Sequence, residues 1–199
     1  MKFHKFISVL LHPLVIPTIG AVLFLLFTPQ FISSTKQYTL IALVFFSTYI
    51  VPLISLIILK ILGVIKSFQV HTIKERKIPI FIMLLLFYLL GKLLITIPEF
   101  KELGVLFYGC NFATVVIYFL FFFKIKTSLH IMSMSSAIGF LLLFSTNNDL
   151  NLLPIISIFV FLTGILASAR LHLKAHTGKE IMLGFVIGIV SQFVMVALL

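Results

Sequence analysis

The chain has 199 residues, of which 61% are hydrophobic and only 10% charged, and its mean hydropathy is +1.27. Soluble domains are about 45–50% apolar, so this composition excludes a soluble single domain, and the 23 Phe residues exclude intrinsic disorder. A net charge of +10 is common in nucleic-acid-binding proteins, but in membrane proteins basic residues also mark cytoplasmic loops. We therefore predict no nucleic-acid partner. The lone Cys110 excludes an intrachain disulfide.

Hydropathy divides the chain into seven apolar segments joined by short connections, which predicts a polytopic membrane helical bundle of six to seven transmembrane helices. The segments lie near 7–28, 39–64, 79–97, 103–123, 129–146, 152–169 and 181–199. The first is interpreted as an uncleaved span, although Pro13 and Pro17 leave a kinked or re-entrant segment open. No connection is long enough for an extramembrane domain, so residues 1–199 are one membrane domain.

Charge is distributed unequally between the two faces that seven spans would create. The face of the N-terminus and the even-numbered connections has two acidic residues, Glu75 and Glu180, and twelve basic ones: Lys2, Lys5, Lys60, Lys66, Lys74, Arg76, Lys77, Lys124, Lys126, Arg170, Lys174 and Lys179. The opposite face has Lys36, Lys101, Glu99, Glu102 and Asp149, while Lys92 falls inside the third segment. The positive-inside rule places the basic face in the cytoplasm.

In chain order, three connections of the basic face carry groups suited to phosphate chemistry. The first has Lys74 and Arg76, followed by Pro79 in the predicted first turn of the next helix. The second has Ser128 and His130 entering the membrane together. A lone interfacial histidine is commonly inert, and the nearby Ser133, Ser135 and Ser136 are explained by helix packing.

The last basic connection contains Arg170, His176 and Glu180. An arginine binds phosphate bidentately, a histidine acts as a nucleophile, and a carboxylate four residues later can orient that imidazole. Other interpretations stay open: Thr177 and Glu180 form a capping-box pattern, and Arg170 can snorkel to the interface.

Two residue pairs near this connection have simpler explanations. His172 and His176 are spaced for a metal on a helix, but the pair lacks a third ligand. Gly184 and Gly188 form a small-xxx-small pair, which indicates helix packing.

These motifs resemble the type 2 phosphatidic acid phosphatase superfamily over about residues 70–190. Arg170-x5-His176-x3-Glu180 resembles the third motif, Ser-Arg-x5-His-x3-Asp, with Ala169 in place of the serine and Glu180 in place of the aspartate. Ser128-Leu-His130 resembles Pro-Ser-Gly-His, with Thr127 for proline and Leu129 for glycine. The first motif, Lys-x6-Arg-Pro, is matched only by Arg76, because Gln69 stands at the lysine position and Pro79 comes three residues after the arginine.

The resemblance implies a metal-independent lipid phosphate phosphatase without a cofactor. His176 would attack phosphorus and form a phosphohistidine, Glu180 would hold its imidazole, and His130 would act as acid and then base. Ser128, Arg76 and Arg170 would bind the phosphoryl oxygens, with Lys74 as a substitute for the missing lysine. The substrate would be a phospholipid, isoprenoid or lipid A phosphate. Bacterial relatives commonly act on the outer side of the inner membrane, whereas the charge distribution here predicts a cytoplasmic site.

Two other functions stay open. A catalytically inactive descendant that binds anionic lipid or a partner is favoured by Ala169, Leu129 and Gln69. A small transporter would need charges within its helices, and only Lys92 and Lys60 qualify. Small size and the lack of eukaryotic sorting signals indicate a bacterial inner membrane, and the oligomeric state stays open.

Overall fold

The computed structural model describes residues 2–68, 70 and 72–199, and within these ranges the chain is helical without β-strands. The described helices are α1 (Lys2–Leu10), α2 (Ile16–Phe27), α3 (Ser34–Ile61), α4 (Ile73–Ile95), α5 (Pro98–Phe123), α6 (Leu129–Asn147), α7 (Leu153–His172) and α8 (Gly178–Leu198). Helices α3 to α8 are long and apolar enough to cross a membrane. The predicted helical membrane bundle is confirmed, with six of the seven apolar segments as long helices.

The first apolar segment is broken, as its two prolines allow. The chain leaves the helical conformation between Leu10 and Ile16, around Pro13, and α2 has 12 residues. A helix of that length extends about 18 Å, well short of the roughly 30 Å hydrocarbon core. Of the interpretations left open for residues 7–28, the structure therefore shows the interrupted segment and not one regular helix.

This broken segment nevertheless runs along most of the length of α6. The ring centroids of His12 and His130 are 5.1 Å apart near the start of α6, and those of Phe24 and Phe144 are 5.5 Å apart near its end. The chain thus passes from one end of the bundle to the other between residues 12 and 24. As a result, α1 lies at the same end as the loops that precede α4, α6 and α8.

The motif-bearing helix α4 begins earlier than hydropathy predicts. Thr72 and Glu75 form a capping box, in which the Thr72 hydroxyl accepts a hydrogen bond from the Glu75 amide. This cap starts the helix at Ile73, so Pro79 lies inside α4 and not in its first turn, which corrects our prediction. Arg76 consequently lies in the first turn of a long helix.

Close packing of α6 against α8 positions the central part of the site. A Cβ atom on Gly184 would lie 2.6 Å from the carbonyl oxygen of Ser128, and one on Gly188 would collide with the backbone of α6. The hydroxyls of Ser135 and Ser136 donate hydrogen bonds to the carbonyls of Gly184 and Gly188, at 3.4 and 3.3 Å. The packing interpretation of these small residues is confirmed.

Candidate functional site

His176 and Glu180 form the most direct side-chain pair at the motif end of the bundle. The Nδ1 atom of His176 lies 2.6 Å from Oε2 of Glu180, and the His176 side chain is only 2% exposed. The loop before α8 places the histidine, and the first turn of α8 places the carboxylate. The predicted orientation of this imidazole by Glu180 therefore agrees with the observed contact.

The capping interpretation of Glu180 also holds. Oε2 of Glu180 accepts a hydrogen bond from the Thr177 amide, and the Glu180 amide donates to the Thr177 hydroxyl, both at 3.4 Å. One carboxylate oxygen thus caps α8 and contacts His176. Because the cap fixes the carboxylate, its contact with the imidazole is preorganised.

The surroundings of His176 favour its neutral form. Burial lowers the pKa of the imidazole to about 4; its hydrogen bond with Glu180 opposes this shift, and the positive charges of Arg170 and Arg76 reinforce it. At neutral pH the ring therefore carries one proton. With the proton on Nδ1, this nitrogen donates a hydrogen bond to the carboxylate of Glu180. The lone pair on Nε2 is then available for a nucleophilic or basic role.

Arg76 reaches from α4 to the loop before α6. Its Nε donates to the carbonyl of Val70 at 2.8 Å, and its Nη1 donates to the carbonyl of Thr127 at 3.2 Å. Val70 has a φ of 45°, a left-handed conformation that is strained for a β-branched residue. The buried guanidinium is thus held by two carbonyls, and the described residues give it no salt bridge.

The loop before α6 is held against the start of α8. The amide of Ser128 donates to the carbonyl of Glu180 at 3.1 Å, which joins the second predicted motif to the third. The hydroxyls of Thr127 and Ser128 are buried and have no hydrogen-bond partner among the described residues. Buried hydroxyls of this kind are costly unless another group satisfies them.

Lys126, in the same loop, adds positive charge. Burial and the charge of Arg76 lower the pKa of its ammonium group, an effect that Glu180 opposes and Arg170 reinforces. The carboxylate of Glu180 is therefore surrounded by three cations close enough to interact electrostatically: Arg76, Lys126 and Arg170. Such a concentration of cations attracts an anion.

Arg170 lies near the end of α7 and contacts the N-terminal helix. Its Nη1 donates to the hydroxyl of Ser8 at 2.7 Å, while its Nε is buried without a partner among the described residues. The carbonyl of the same Ser8 lies 3.1 Å from Nε2 of His130. Ser8 therefore connects the third motif to the histidine of the second motif.

Sequence reasoning missed Ser8 and His12, because the family resemblance begins near residue 70. The His12 ring packs edge-on against His130, and burial followed by the charge of Arg170 lowers its pKa. A serine on a short N-terminal helix gives no sequence signal for such a contact. For His12, the sequence signal was its position directly before Pro13, where the helix is interrupted.

The remaining predicted positions lie apart from these contacts. Lys74 is exposed, and no described hydrogen bond or salt bridge joins it to the other site residues. His172 packs against His4, with ring centroids 4.0 Å apart and the rings tilted by 32°, so its ring contacts α1. Gln69 and His71 lie outside the described residues.

The structure thus gathers parts of all three motifs at one end of the bundle: Arg76, Ser128, His130, Arg170, His176 and Glu180. Buried cationic donors, unpartnered hydroxyls and a neutral, carboxylate-held imidazole are together suited to binding an anion and attacking it. No model of a known protein family matches this chain, and neither does any curated protein or solved structure.

Proposed function

We propose that this protein is a lipid phosphate phosphatase that hydrolyses a phosphomonoester or diphosphate through a phosphohistidine intermediate. The observation that carries the proposal is the neutral His176 paired with Glu180 beside two arginines that have no carboxylate partner among the described residues. The resemblance of the three motifs to type 2 phosphatidic acid phosphatases supports the same chemistry.

In the first step, Nε2 of His176 attacks the phosphorus atom. A nitrogen–phosphorus bond forms and the bond from phosphorus to the lipid oxygen breaks. His130, whose imidazolium form the charge of the bound phosphate favours, gives its proton to the leaving oxygen. Glu180 accepts the hydrogen bond from Nδ1 and stabilises the positive charge that develops on the ring. Arg76, Arg170 and the Ser128 hydroxyl bind the equatorial phosphoryl oxygens.

In the second step, water attacks the phosphohistidine. His130, now neutral, accepts a proton from this water, the nitrogen–phosphorus bond breaks, and inorganic phosphate leaves. Both steps require Nε2 of His130 and Nη1 of Arg170 to face the phosphate. Substrate therefore displaces Ser8 from its contacts with these two atoms.

The substrate class follows from the position of the site in a membrane bundle. A phosphate at the polar end of α6 leaves the hydrocarbon part of an amphiphile among apolar helices. Phospholipid, isoprenoid and lipid A phosphates all meet this requirement. No metal or cofactor enters the proposed steps, because protein cations neutralise the phosphate.

Phosphate release from these lipids by detergent-purified protein tests the proposal. We expect His176→Ala to lower turnover by about 10³-fold or more, because the nucleophile is lost. His172→Ala is the matched control: it removes a histidine four residues away that packs against His4, and turnover should persist.

Turnover that survives in His176→Ala would contradict the mechanism. If the wild-type protein binds lipid phosphate vesicles but releases no phosphate, the inactive anionic-lipid-binding alternative replaces the enzyme. The substitutions Ala169 and Leu129 in the family motifs are the observations that favour that alternative.

We further propose a bacterial inner membrane with the motif end in the cytoplasm, from the excess of basic residues at that end. Exposed Lys66 and Lys101 lie in connections on opposite faces and suit single-cysteine labelling in a Cys110→Ala background. An impermeant thiol reagent applied to intact cells should modify Lys101→Cys and spare Lys66→Cys. The reverse result would invert the topology without affecting the chemistry.

A further inference from the structure

A narrow apolar cavity of about 90 Å³ lies inside the bundle between α2, α4, α5 and α6. Its walls include Gly20, Leu23, Met83, Phe107, Ala137 and Phe140. One end is lined by Pro13 and Leu129, which directly follow His12 and Ser128 in the chain. The cavity therefore begins next to the cationic site.

The cavity wall offers little hydrogen-bonding capacity despite its hydroxyl groups. Thr114 donates to the carbonyl of Cys110 at 2.7 Å, Ser133 to that of His130 at 2.9 Å, and Ser136 to that of Gly188 at 3.3 Å. These hydroxyls are therefore already satisfied by backbone. A cavity with such walls stays dry and favours an apolar ligand.

The dimensions suit one hydrocarbon chain. Lining residues on α6 run from Leu129 to Leu141, a distance of about 18 Å along a helix, slightly more than the roughly 15 Å depth of one leaflet's hydrocarbon. A volume of about 90 Å³ spread over this length is narrow, so the cavity walls must part to admit a full hydrocarbon chain. Two chains side by side do not fit in this space.

One wall of the cavity comes from the N-terminal segment, outside the region that resembles the phosphatase family. Lining residues of this segment run from Pro13 to Leu23. A Cβ added at Gly20 would have Leu106 as its nearest neighbour, at 3.7 Å. The same segment carries His12, which packs on His130. It therefore adjoins both the proposed phosphate site and the apolar cavity.

We propose that this cavity binds a single hydrocarbon chain of the phosphorylated lipid and that α2 determines which chains enter. The inference rests on the proposed function for the position of the phosphate. A chain anchored there extends from the first turn of α6 toward Leu141, between α2 and α6. The substrate class is accordingly a lipid phosphate with one slender chain next to its phosphate, and not one that must bury two chains together.

Photolabelling of the full-length wild-type protein in detergent tests this proposal without requiring turnover. The probe is a long-chain alkyl phosphate with a diazirine at mid-chain, and the labelled residues are identified by mass spectrometry. We expect labels on cavity residues of α2 and α6, around Gly20–Leu23 and Ala137–Leu141. Excess unlabelled long-chain alkyl phosphate should abolish them, whereas butyl phosphate should not.

Two leucine variants provide a matched comparison. Ala137→Leu fills the cavity and should lower cavity labelling about tenfold. Val190→Leu adds bulk to α8 at a side chain that is 48% exposed and should leave labelling unchanged. If Ala137→Leu does not fold, the positions labelled in the wild-type protein still test the proposal.

Labelling confined to outward-facing residues such as Val190 and Phe193 would overturn the proposal. Equal cavity labelling by the same chain ending in an alcohol would overturn its link to the phosphate site. Cavity labelling in a protein that releases no phosphate would remove the proposed enzymatic function and leave the chain site standing. Hydrolysis with labels only outside the cavity would remove the chain site and leave the proposed enzymatic function standing.

Discussion

Charged side chains have different interaction partners at the two ends of the bundle. At the end opposite the motifs, Lys36 forms a salt bridge with Glu99, and Glu102 accepts a hydrogen bond from Asn148 at 3.0 Å. At the motif end, Arg76 donates to backbone carbonyls and Arg170 to a serine hydroxyl. The carboxylate of Glu180 contacts a histidine instead of either arginine.

This difference indicates what the motif end lacks. Buried arginines are stable when an anion or several hydrogen-bond acceptors satisfy them, and here Nε of Arg170 has no partner among the described residues. A phosphate group would supply both the missing charge and the missing acceptors. At the opposite end Lys36 is already paired with Glu99, so we expect this pair to be insensitive to phosphate.

Among substitutions that compare the two ends, the largest effect should come from removing a cation at the motif end. Arg170→Gln should lower kcat/KM for a lipid phosphate by roughly 10²–10³-fold, because a charged donor to the phosphoryl oxygens is lost. Lys36→Gln breaks the salt bridge at the opposite end and should leave kcat/KM unchanged. Equal losses in both variants would mean that the ends do not differ in function.

A smaller loss should follow when Glu180 keeps its shape but loses its charge. Glu180→Gln preserves a capping-box residue, yet it no longer offers a carboxylate to fix the His176 tautomer, so we expect kcat to fall roughly 10²-fold. Thr177→Ala breaks the cap and leaves the carboxylate. It should cost about 1 kcal/mol of stability with a much smaller effect on kcat.

Steady-state kinetics together with thermal unfolding in detergent separate these two roles. If Thr177→Ala lowered kcat as much as Glu180→Gln, the helix cap would be the important feature and not the carboxylate.

Packing beneath the site should have an intermediate effect. The added methyl of Gly184→Ala meets the Ser128 carbonyl at 2.6 Å, so it should push α8 from α6 and weaken the contact between Ser128 and Glu180. We expect kcat/KM to fall about 10-fold, since small displacements of catalytic groups are costly. Gly164→Ala on α7 meets no atom within 4 Å and should retain full activity. Loss in both variants would indicate general sensitivity of the helices to substitution.

The smallest effect should come from Ser8, and it should be a gain. Ser8→Ala removes a hydroxyl that competes with phosphate for Arg170, and a hydrogen bond of about 0.5–1.5 kcal/mol corresponds to a KM lowered roughly 2- to 10-fold. Ser168→Ala, an exposed serine two residues before Arg170, is the control. A raised KM in Ser8→Ala would show that Ser8 positions Arg170 for substrate and does not compete with it.

The fold was largely predictable because membrane spans have a strong hydropathy signal. The predicted segments 129–146 and 152–169 differ little from the observed helices Leu129–Asn147 and Leu153–His172. Helix starts at polar residues were less predictable: the Thr72 cap places Arg76 inside α4 although hydropathy begins the span near residue 79. The break in the first segment was signalled by Pro13, but its path along α6 was not.

The candidate site was predictable where spacing along one helix end determines geometry. His176 and Glu180 are four residues apart at the start of α8, so their contact follows from local structure. The contacts of Ser8 with Arg170 and His130 depend on how α1 packs across the bundle, which no local pattern encodes. Lys74 was assigned to the site by analogy, and its side chain is exposed.

Trapping the covalent intermediate tests the phosphohistidine mechanism most directly. Wild-type protein is mixed with a lipid phosphate carrying ³²P, quenched in base to preserve phosphohistidine, digested and mapped. We expect the label on His176 in the wild-type protein and in His172→Ala, and no label in His176→Ala. Steady hydrolysis with label on another residue, or with no covalent label under conditions that trap an authentic phosphohistidine enzyme, would contradict it.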